Sequence, residues 1–482
     1  MADINLGVGG ANSAVAGGYD IDNSLKFEAD NTEYLERDPS STGNRKIFTT
    51  SMWVKRTELG QASTIFGVYP ASGAGNTTVV QFGFTSNDEF QCGFQTFYVV
   101  KTNRLFRDTS AWYHIVVRID TTHSTATDRF KVWINGVEET SFSTDGRASI
   151  GLNQDTGINF TEPHRIGVLL SNSWYFSGYM ADINHIDGSA KSPTDFGETD
   201  EDSGIWKPKK YAGSYGTNGF YLDFESSGSL GADSSGNSNN FTLNNIAAAD
   251  QATDTPTNNF ATINTLQGNA SKLIISNGAT DIVKSGNHGW QTTNANIAVS
   301  VGKWYAEFKL DTSASLIMLG VNQADNEAAW YGSHIGAYSN STAQGMGYYS
   351  QNGYFYRNGG SGAIGSTYTA GDIIGIAFCY NSNGTAFMGM SKNGTWQNSQ
   401  DPSSGTTNML GLNYGNAFTN NEMYTFAIST HQDAGGVLAN FGGFDGFTVS
   451  SGNSDANGYG NFEYAVPTGY YALCTKNLAE EG

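Results

Sequence analysis

Along most of the chain, apolar and polar positions alternate with a period of two. That spacing puts one face of a strand in a core and the other outside it. In WYHIVVRID (112–120), Tyr113, Ile115, Val117 and Ile119 share one face, while Trp112, His114, Val116 and Arg118 share the other. In FKVWI (130–134), Phe130, Val132 and Ile134 point inward and Trp133 outward. The stretch KVWINGVEET (131–140) sets such runs on either side of Asn135-Gly136. That pair supplies the two positive φ angles of a type I′ turn, so a hairpin is predicted. MGMSKNGTWQN and QNGYFYRNGG repeat the device later in the chain.

Strand signals follow one another from about residue 21 to 190: SLKFEA, KIFTTSMWVKRT, TVVQFGFT, FQCGFQTFYVV, WYHIVVRID, FKVWI, HRIGVLL and WYFSGYMADINHID. Gly, Asn, Asp or Ser bounds most of them, and no helical stripe intervenes. A second series, including KWYAEFKL, LIMLGVNQ, GMGYYSQNGYFYR, DIIGIAFCY, TAFMGMSKNG, YTFAIST and GVLANFG, runs from KLIIS to about residue 476. Between the two, GFYLDFE and NNFTLNN predict short added strands, and DQATDTPTNNFATIN is polar and turn-rich. The prediction is an all-β chain of two antiparallel, jelly-roll-like β-sandwich domains in tandem. Its expected parts are a flexible or attachment segment (1–20), a first sandwich (21–225), a linker with added short strands (226–265) and a second sandwich (266–482).

Composition narrows the function. Gly 60 and aromatic 13% suit tight turns and half-buried strands rather than long helices. Lys+Arg 25 against Asp+Glu 45 leaves a net charge of -20, which repels phosphate backbones and argues against nucleic acid as a partner. Cys92, Cys379 and Cys474 form no C-x-x-C and read as small buried residues. No run of 18 apolar residues predicts a membrane span. The opening MADINLGVGGANSAVAGGYD lacks the basic start and apolar core of a secretory signal. A polar, Lys-poor surface like that of extracellular β-proteins, without an export signal, is expected of a chain that leaves its cell by lysis within a virus particle.

SMWVKR, AWYHIVVRID, RFKVWINGVEE and FSGYMADINHIDG carry a resemblance. Through them the first block resembles a laminin-G/concanavalin-A-like jelly roll. NSLKFEADNTEYLERDPSSTGNRKIFTTSMWVKR, and YLDFESSGSLGADSSGNSNNFTLNN leading into DTPTNNFATIN, are similar to segments of virion proteins of marine bacteriophages. KWYAEFKL, LGVNQ, GDIIGIAFCYNSNGTAFMGMSKNG and VLANFGG follow the strand order of a SPRY domain, which the second block resembles; its late strand lacks the family's proline. Both resemblances imply scaffolds that bind glycans or peptides through loops.

Candidate chemistry is sparse. Laminarinase-type jelly rolls place alternating acids on one strand, one as nucleophile and one as acid. The nearest match, Glu198, Asp200 and Asp202 in GETDEDSG, sits in a Gly-bounded loop and reads as acidic surface. His114 reads as a packed histidine, and no nucleophile elbow, P-loop or H-E-x-x-H is present. No catalytic residue and no enzyme activity are expected. In DSSGNSNN, Asp233, Asn237 and Asn239 offer oxygen ligands for calcium, or else form an Asx turn without metal; the laminin-G resemblance adds weight to calcium, and the lack of a distal Glu adds weight to the bare turn. In the second block Trp330, Tyr331, His334 and Tyr338, with Tyr348, Asn352, Tyr354 and Tyr356, either stack on sugar rings beside amide groups or pair across strands.

These features predict a non-enzymatic structural protein of a phage particle. It is expected at the virion surface as a tail or capsid appendage, in contact with other virion proteins and host-surface polysaccharide. Symmetric sockets and avidity favour a homotrimer, although no heptad or repeating stalk is present. The alternatives are a leaderless bacterial surface adhesin and a polysaccharide-degrading enzyme.

Overall fold

The computed structural model describes residues 18–70, 79–94, 97–169, 173–267, 272–286, 289–311, 316–325, 333–337, 345–357, 359–406, 408–411, 422–431 and 435–482. The chain is about 42% strand and 7% helix, as the all-β prediction requires. The α-helix among the described residues is the short Thr475–Glu481. The chain divides between Thr257 and Asn258 into two units, each a two-sheet sandwich.

In the first unit, one sheet runs in the order Val137–Glu138, Phe130–Ile134, Tyr113–Asp120, Ile47–Arg56, Gly178–Asp187, Ser24–Phe27 and Gln251–Ala252; Phe220–Leu222 also pairs with Gly178–Asp187. The facing sheet runs from Phe142–Asp145 through Phe97–Leu105, Glu89–Phe94, Val80–Phe84, Ser63–Val68, His164–Ile166 and Tyr34–Arg37 to Thr242–Asn244. The alternation read from the sequence holds. Ile115, Val117, Ile119, Phe130, Val132 and Ile134 enter the core between the sheets, while Val116 and Trp133 join Ile186, Phe196 and Tyr211 on the outer face. Cys92, Cys379 and Cys474 are free and buried.

The hairpin at Asn135-Gly136 forms as predicted. Ile134 pairs with Val137, with φ of 49° at Asn135 and 79° at Gly136. The Asn135 Oδ1 also accepts the His114 N–H at 2.8 Å, which fastens the turn to the next strand. A Cβ at Gly136 would meet the Trp206 ring as well as the positive φ. Gly136→Ala is therefore expected to lower the first unit's stability in urea by more than about 1 kcal/mol.

The span 226–265 carries the added short strands expected of it, but its first part, up to Thr257, belongs to the first unit rather than to a linker. Thr242–Asn244 pairs with Tyr34–Arg37, and Gln251–Ala252 with Ser24–Phe27. Leu230 and Phe241 lie in the first core. Two buried cations fasten the end of this span. Lys26 Nζ lies 2.7 Å from Asp250 and 3.0 Å from Glu33, and Lys55 Nζ lies 2.7 Å from Asp254. Residues past 257 pair within the second unit, through Phe260 with Cys474 and Ile263 with Ala295. A polar, turn-rich composition does not reveal that its few charged side chains meet buried partners far away in sequence. Of the expected flexible segment 1–20, residues 1–17 lie outside the described residues. Tyr19 is held, its hydroxyl donating to Asp182 Oδ1 at 2.8 Å.

In the second unit, a sheet built on Leu273–Ser276, Asp281–Lys284, Gly436–Asn440, Gly302–Leu310, Ile373–Tyr380, Ala386–Lys392 and Thr395–Trp396 faces a six-stranded sheet. The latter runs Gln291–Asn294, Tyr424–Thr430, Ile317–Gln323, Gly345–Tyr349, Tyr354–Arg357 and Gly360–Ala363. Ile374, Ile376 and Phe378 fill the core between them, whereas Ala377 and Cys379 pack outward against Phe462, Tyr470 and Cys474. Glu307 pins this outer cover. Its carboxylate accepts the Tyr305 hydroxyl at 2.9 Å and the backbone N–H groups of Glu463 and Tyr464 at 2.8 and 2.9 Å. Burial pushes the Glu307 carboxyl up to about 7.

Candidate functional site

The site grows from strand parity on the six-stranded sheet. Leu319, Val321, Phe426, Ile428, Met346 and Tyr348 point into the core. Their neighbours point outward, which brings Tyr349 to the outer face. Tyr356 pairs with Gly347 on the next strand and packs its ring against Tyr349. Trp290 stands at the start of Gln291–Asn294, and His431 just past the end of the adjacent Tyr424–Thr430. The segment 333–337 crosses this face, tied down where Thr292 Oγ1 donates to Ser333 O and Ile335 N donates to Ser429 Oγ. It delivers His334.

Five rings meet there. The Trp290 centroid is 5.0 Å from His334, 5.2 Å from His431 and 5.9 Å from Tyr349. Tyr356 lies 5.4 Å from His334 and 5.6 Å from Tyr349. Interplanar angles of 60° to 89° make every contact edge-to-face, the arrangement the ring quadrupoles favour. Trp290, His334, Tyr356 and His431 remain half-buried, and Tyr354 beside them is 38% exposed. Amides form the rim. Tyr349 donates its hydroxyl to Gln351 Oε1 at 2.9 Å, and Asn352 Nδ2 donates to the Tyr356 hydroxyl at 3.4 Å. The His334 Nδ1 lies 2.9 Å from the Ile335 carbonyl, which can only accept, so Nδ1 carries the proton and Nε2 is an acceptor. Burial lowers the His334 pKa and keeps the ring neutral.

The structure thus brings together four of the residues chosen from sequence: His334, Asn352, Tyr354 and Tyr356. Trp330, Tyr331 and Tyr338 lie outside the described residues. Tyr348 is corrected: it is fully buried, donates its hydroxyl to Ser366 O and packs its ring on Tyr368. In GMGYYS one of two adjacent tyrosines must face the core, and the inward parity of Met346 assigns that place to Tyr348. Sequence reasoning missed Trp290, Tyr349 and His431. Parity from Met346 could have found Tyr349, but no local pattern marks the other two.

The proposed calcium ligands do not fit a cation. Asp233 Oδ1 accepts the backbone N–H groups of Tyr221 and Ser235, both at 2.9 Å, and Oδ2 accepts that of Asn239 at 2.8 Å. Asn237 and Asn239 turn their Nδ2 groups onto the carbonyl of Gly219, and the Arg37 guanidinium occupies Asn239 Oδ1. The set is an Asx-rich turn whose oxygens already serve N–H donors. No group of three His, Cys, Asp or Glu side chains able to hold a metal occurs among the described residues.

The acidic string folds as a small hairpin, Gly197–Thr199 with Trp206–Pro208. Asp200 accepts the Ser203 N–H at 2.9 Å and lies 3.0 Å from Lys207 Nζ. The Ser203 backbone bond first, then Lys207, holds its carboxyl well below the usual carboxylate range. Glu198 lies 3.8 Å from the same ammonium. His114 is buried between Trp53 and Trp206, its Nε2 on Ser51 Oγ at 2.8 Å and its Nδ1 accepting the Trp206 N–H at 2.9 Å.

Residues 29–194 match the Laminin_G_3 model of the concanavalin A-like lectin/glucanases superfamily. The first unit is therefore a lectin-like β-sandwich. No curated protein matches the chain. Among solved structures, it is similar to a human SPRY domain at 16% identity, over 35% of this chain and 93% of that one, with a TM-score of 0.25. Similarity to the SPRY domain of human HERC1 is 14%, over 37% and 96%, with a TM-score of 0.27. A native heptameric SAP-like pentraxin from Limulus polyphemus matches at 16%, over 36% and 80%, also at 0.27. Likenesses this low leave the second unit defined by its own strands and rings. No helix among the described residues is long and apolar enough to cross a membrane.

Proposed function

We propose that the protein is a non-catalytic, glycan-binding structural protein of a phage particle, displayed on the virion surface and engaging host polysaccharide through the second sandwich. The observation that carries the binding reading is the patch of Trp290, His334, Tyr349, Tyr356 and His431 with Gln351 and Asn352 at its rim. The half-buried rings of Trp290, His334, Tyr356 and His431 offer apolar faces to the C–H side of a pyranose, with Tyr349 buried beneath them, and the amides and neutral imidazole answer its hydroxyls. The lectin-like first unit is in keeping with this role. The virion assignment rests on the similarity of the two quoted segments, which begin in the first unit, to phage virion proteins.

A glycan array probed with the intact chain should show binding to a bacterial envelope polysaccharide. Trp290→Ala and Tyr356→Ala should each weaken it at least about tenfold while leaving strand content unchanged. Binding that survives both changes would remove the patch from the account. Peptide mass spectrometry of purified virions checks the location separately, and absence of the chain there would overturn it.

A further inference from the structure

The first unit carries a polar cleft that the aromatic patch does not use. It opens where Tyr34–Arg37 runs beside Thr242–Asn244 and has a volume of about 440 Å³, within the range of small-molecule sites. Glu36, Arg37, Asp38, Ser40, Asn239 and Asn240 are among the residues that line it, and no aromatic ring does.

The floor is held rigid. Arg37 is 9% exposed, and its guanidinium donates to Asn218 O at 3.3 Å, Asn218 Oδ1 at 3.2 Å and Asn239 Oδ1 at 2.5 Å. That uses three of the five N–H donors of an arginine. One wall is the Asp233 turn, whose backbone bonds fix Ser238, Asn239 and Asn240 in place. Asn240 Oδ1 accepts the Asp233 N–H at 2.9 Å, so its amide nitrogen is the group left to act as a donor. Glu36 and Asp38, two residues apart, supply acceptors. The Glu36 Oε2 takes Arg165 Nε at 2.6 Å. Asp38 is exposed, and burial together with the charges of Glu36 and Glu162 raises its pKa, Arg165 opposing.

We propose that this cleft is a separate binding site for one neutral sugar residue, held by hydrogen bonds alone, and that it excludes uronate and sulfated sugars. A sugar hydroxyl both donates and accepts, so it satisfies the carboxylates of Glu36 and Asp38 on one side and the amide N–H of Asn240 on the other. With no ring to stack on, recognition falls to these polar groups, and affinity is modest. An anionic sugar meets Asp38 and Glu36 at close range, while Arg37 is locked by amides and Arg165 by Glu36.

The site is independent of the aromatic patch, and the test keeps them apart. Saturation-transfer NMR is recorded on the full chain carrying Tyr354→Ala and Tyr356→Ala, with glucose, galactose, mannose, N-acetylglucosamine and galacturonate at millimolar concentration. At least one neutral sugar should show transfer, and galacturonate none. Asp38→Ala should weaken binding about tenfold, and Ser40→Trp, which fills the mouth, should abolish it. Both positions are exposed, and an unchanged circular dichroism spectrum confirms the fold. Absence of any neutral-sugar signal, transfer that survives Ser40→Trp, or equal transfer from galacturonate would each overturn the proposal.

Discussion

Asp254→Ala is expected to cost the first sandwich about 3–5 kcal/mol in chemical denaturation. Lys55 Nζ and Asp254 Oδ2 are 2.7 Å apart with exposures of 0% and 1%, and Trp112 Nε1 donates to Oδ1 at 3.1 Å. Removing the carboxylate leaves an ammonium in a site walled by Tyr179 and an indole N–H without its acceptor. Asp254→Asn should cost nearly as much, because an amide restores a hydrogen bond but not the countercharge. Lys55→Met combined with Asp254→Leu should recover part of the loss, since an apolar pair leaves no charge buried. A loss under about 1 kcal/mol for Asp254→Ala would show that water reaches Lys55 and that the strap at 248–254 is not what closes the sandwich.

Acid should weaken the same unit by a comparable amount. His114, His164 and His185 are all buried in it, and desolvation is the leading cause that holds each in its neutral form. The pKa of His114 falls to about 3 and that of His164 to about 4, while His185, also facing His164 and Arg37, lies well below the ordinary value. Each ring has one nitrogen that must accept. His114 Nδ1 takes the Trp206 N–H, His164 Nε2 the Asn159 N–H, and His185 Nδ1 the Thr50 hydroxyl. Protonation would set donor against donor at His114 and His164, and at His185 it would force the Thr50 hydroxyl to turn and accept.

The unfolded chain therefore binds these protons from about pH 6.5 downward and the folded chain does not. Their stabilisation is complete above that pH and is lost as pH falls. Asp182 works the other way: burial raises its carboxyl to about 6, so the folded state takes up one proton in the same window. Glu33 and Glu58, also raised by burial, add to that offset. Three protons against these leave a net loss of about 3 kcal/mol between pH 7 and pH 5. Hydrogen exchange of peptides from 18–257 at several pH values measures it. A flat profile, or imidazole NMR shifts that titrate near the free value, would refute the neutral assignment.

Much of this architecture could be read from local pattern. The faces of WYHIVVRID and FKVWI came out as alternation requires, and Asn135-Gly136 formed its hairpin. Half of the candidate site was legible for a similar reason, since Tyr354 and Tyr356 share a parity and Asn352 sits in their turn. The errors came where a residue's partner lay far along the chain. Asp233 carries the oxygens of a calcium loop, yet Tyr221, Ser235 and Asn239 had already claimed them. The turn-rich stretch before residue 257 looked like a tether until Asp250 and Asp254 met Lys26 and Lys55.

Strand identity, the inward and outward faces and the tight turns are consequences of the order of residues alone, because side-chain direction and turn angles depend on neighbours one or two positions away. The meeting of Trp290, His334, Tyr356 and His431 is not of that kind. They come from separate strands and a crossing loop, and only the pairing of Gln291 with Thr430 and of Gly347 with Tyr356 sets them side by side. Register between distant strands is chosen by the burial of the whole core at once, so a surface assembled across it exists only in the folded molecule.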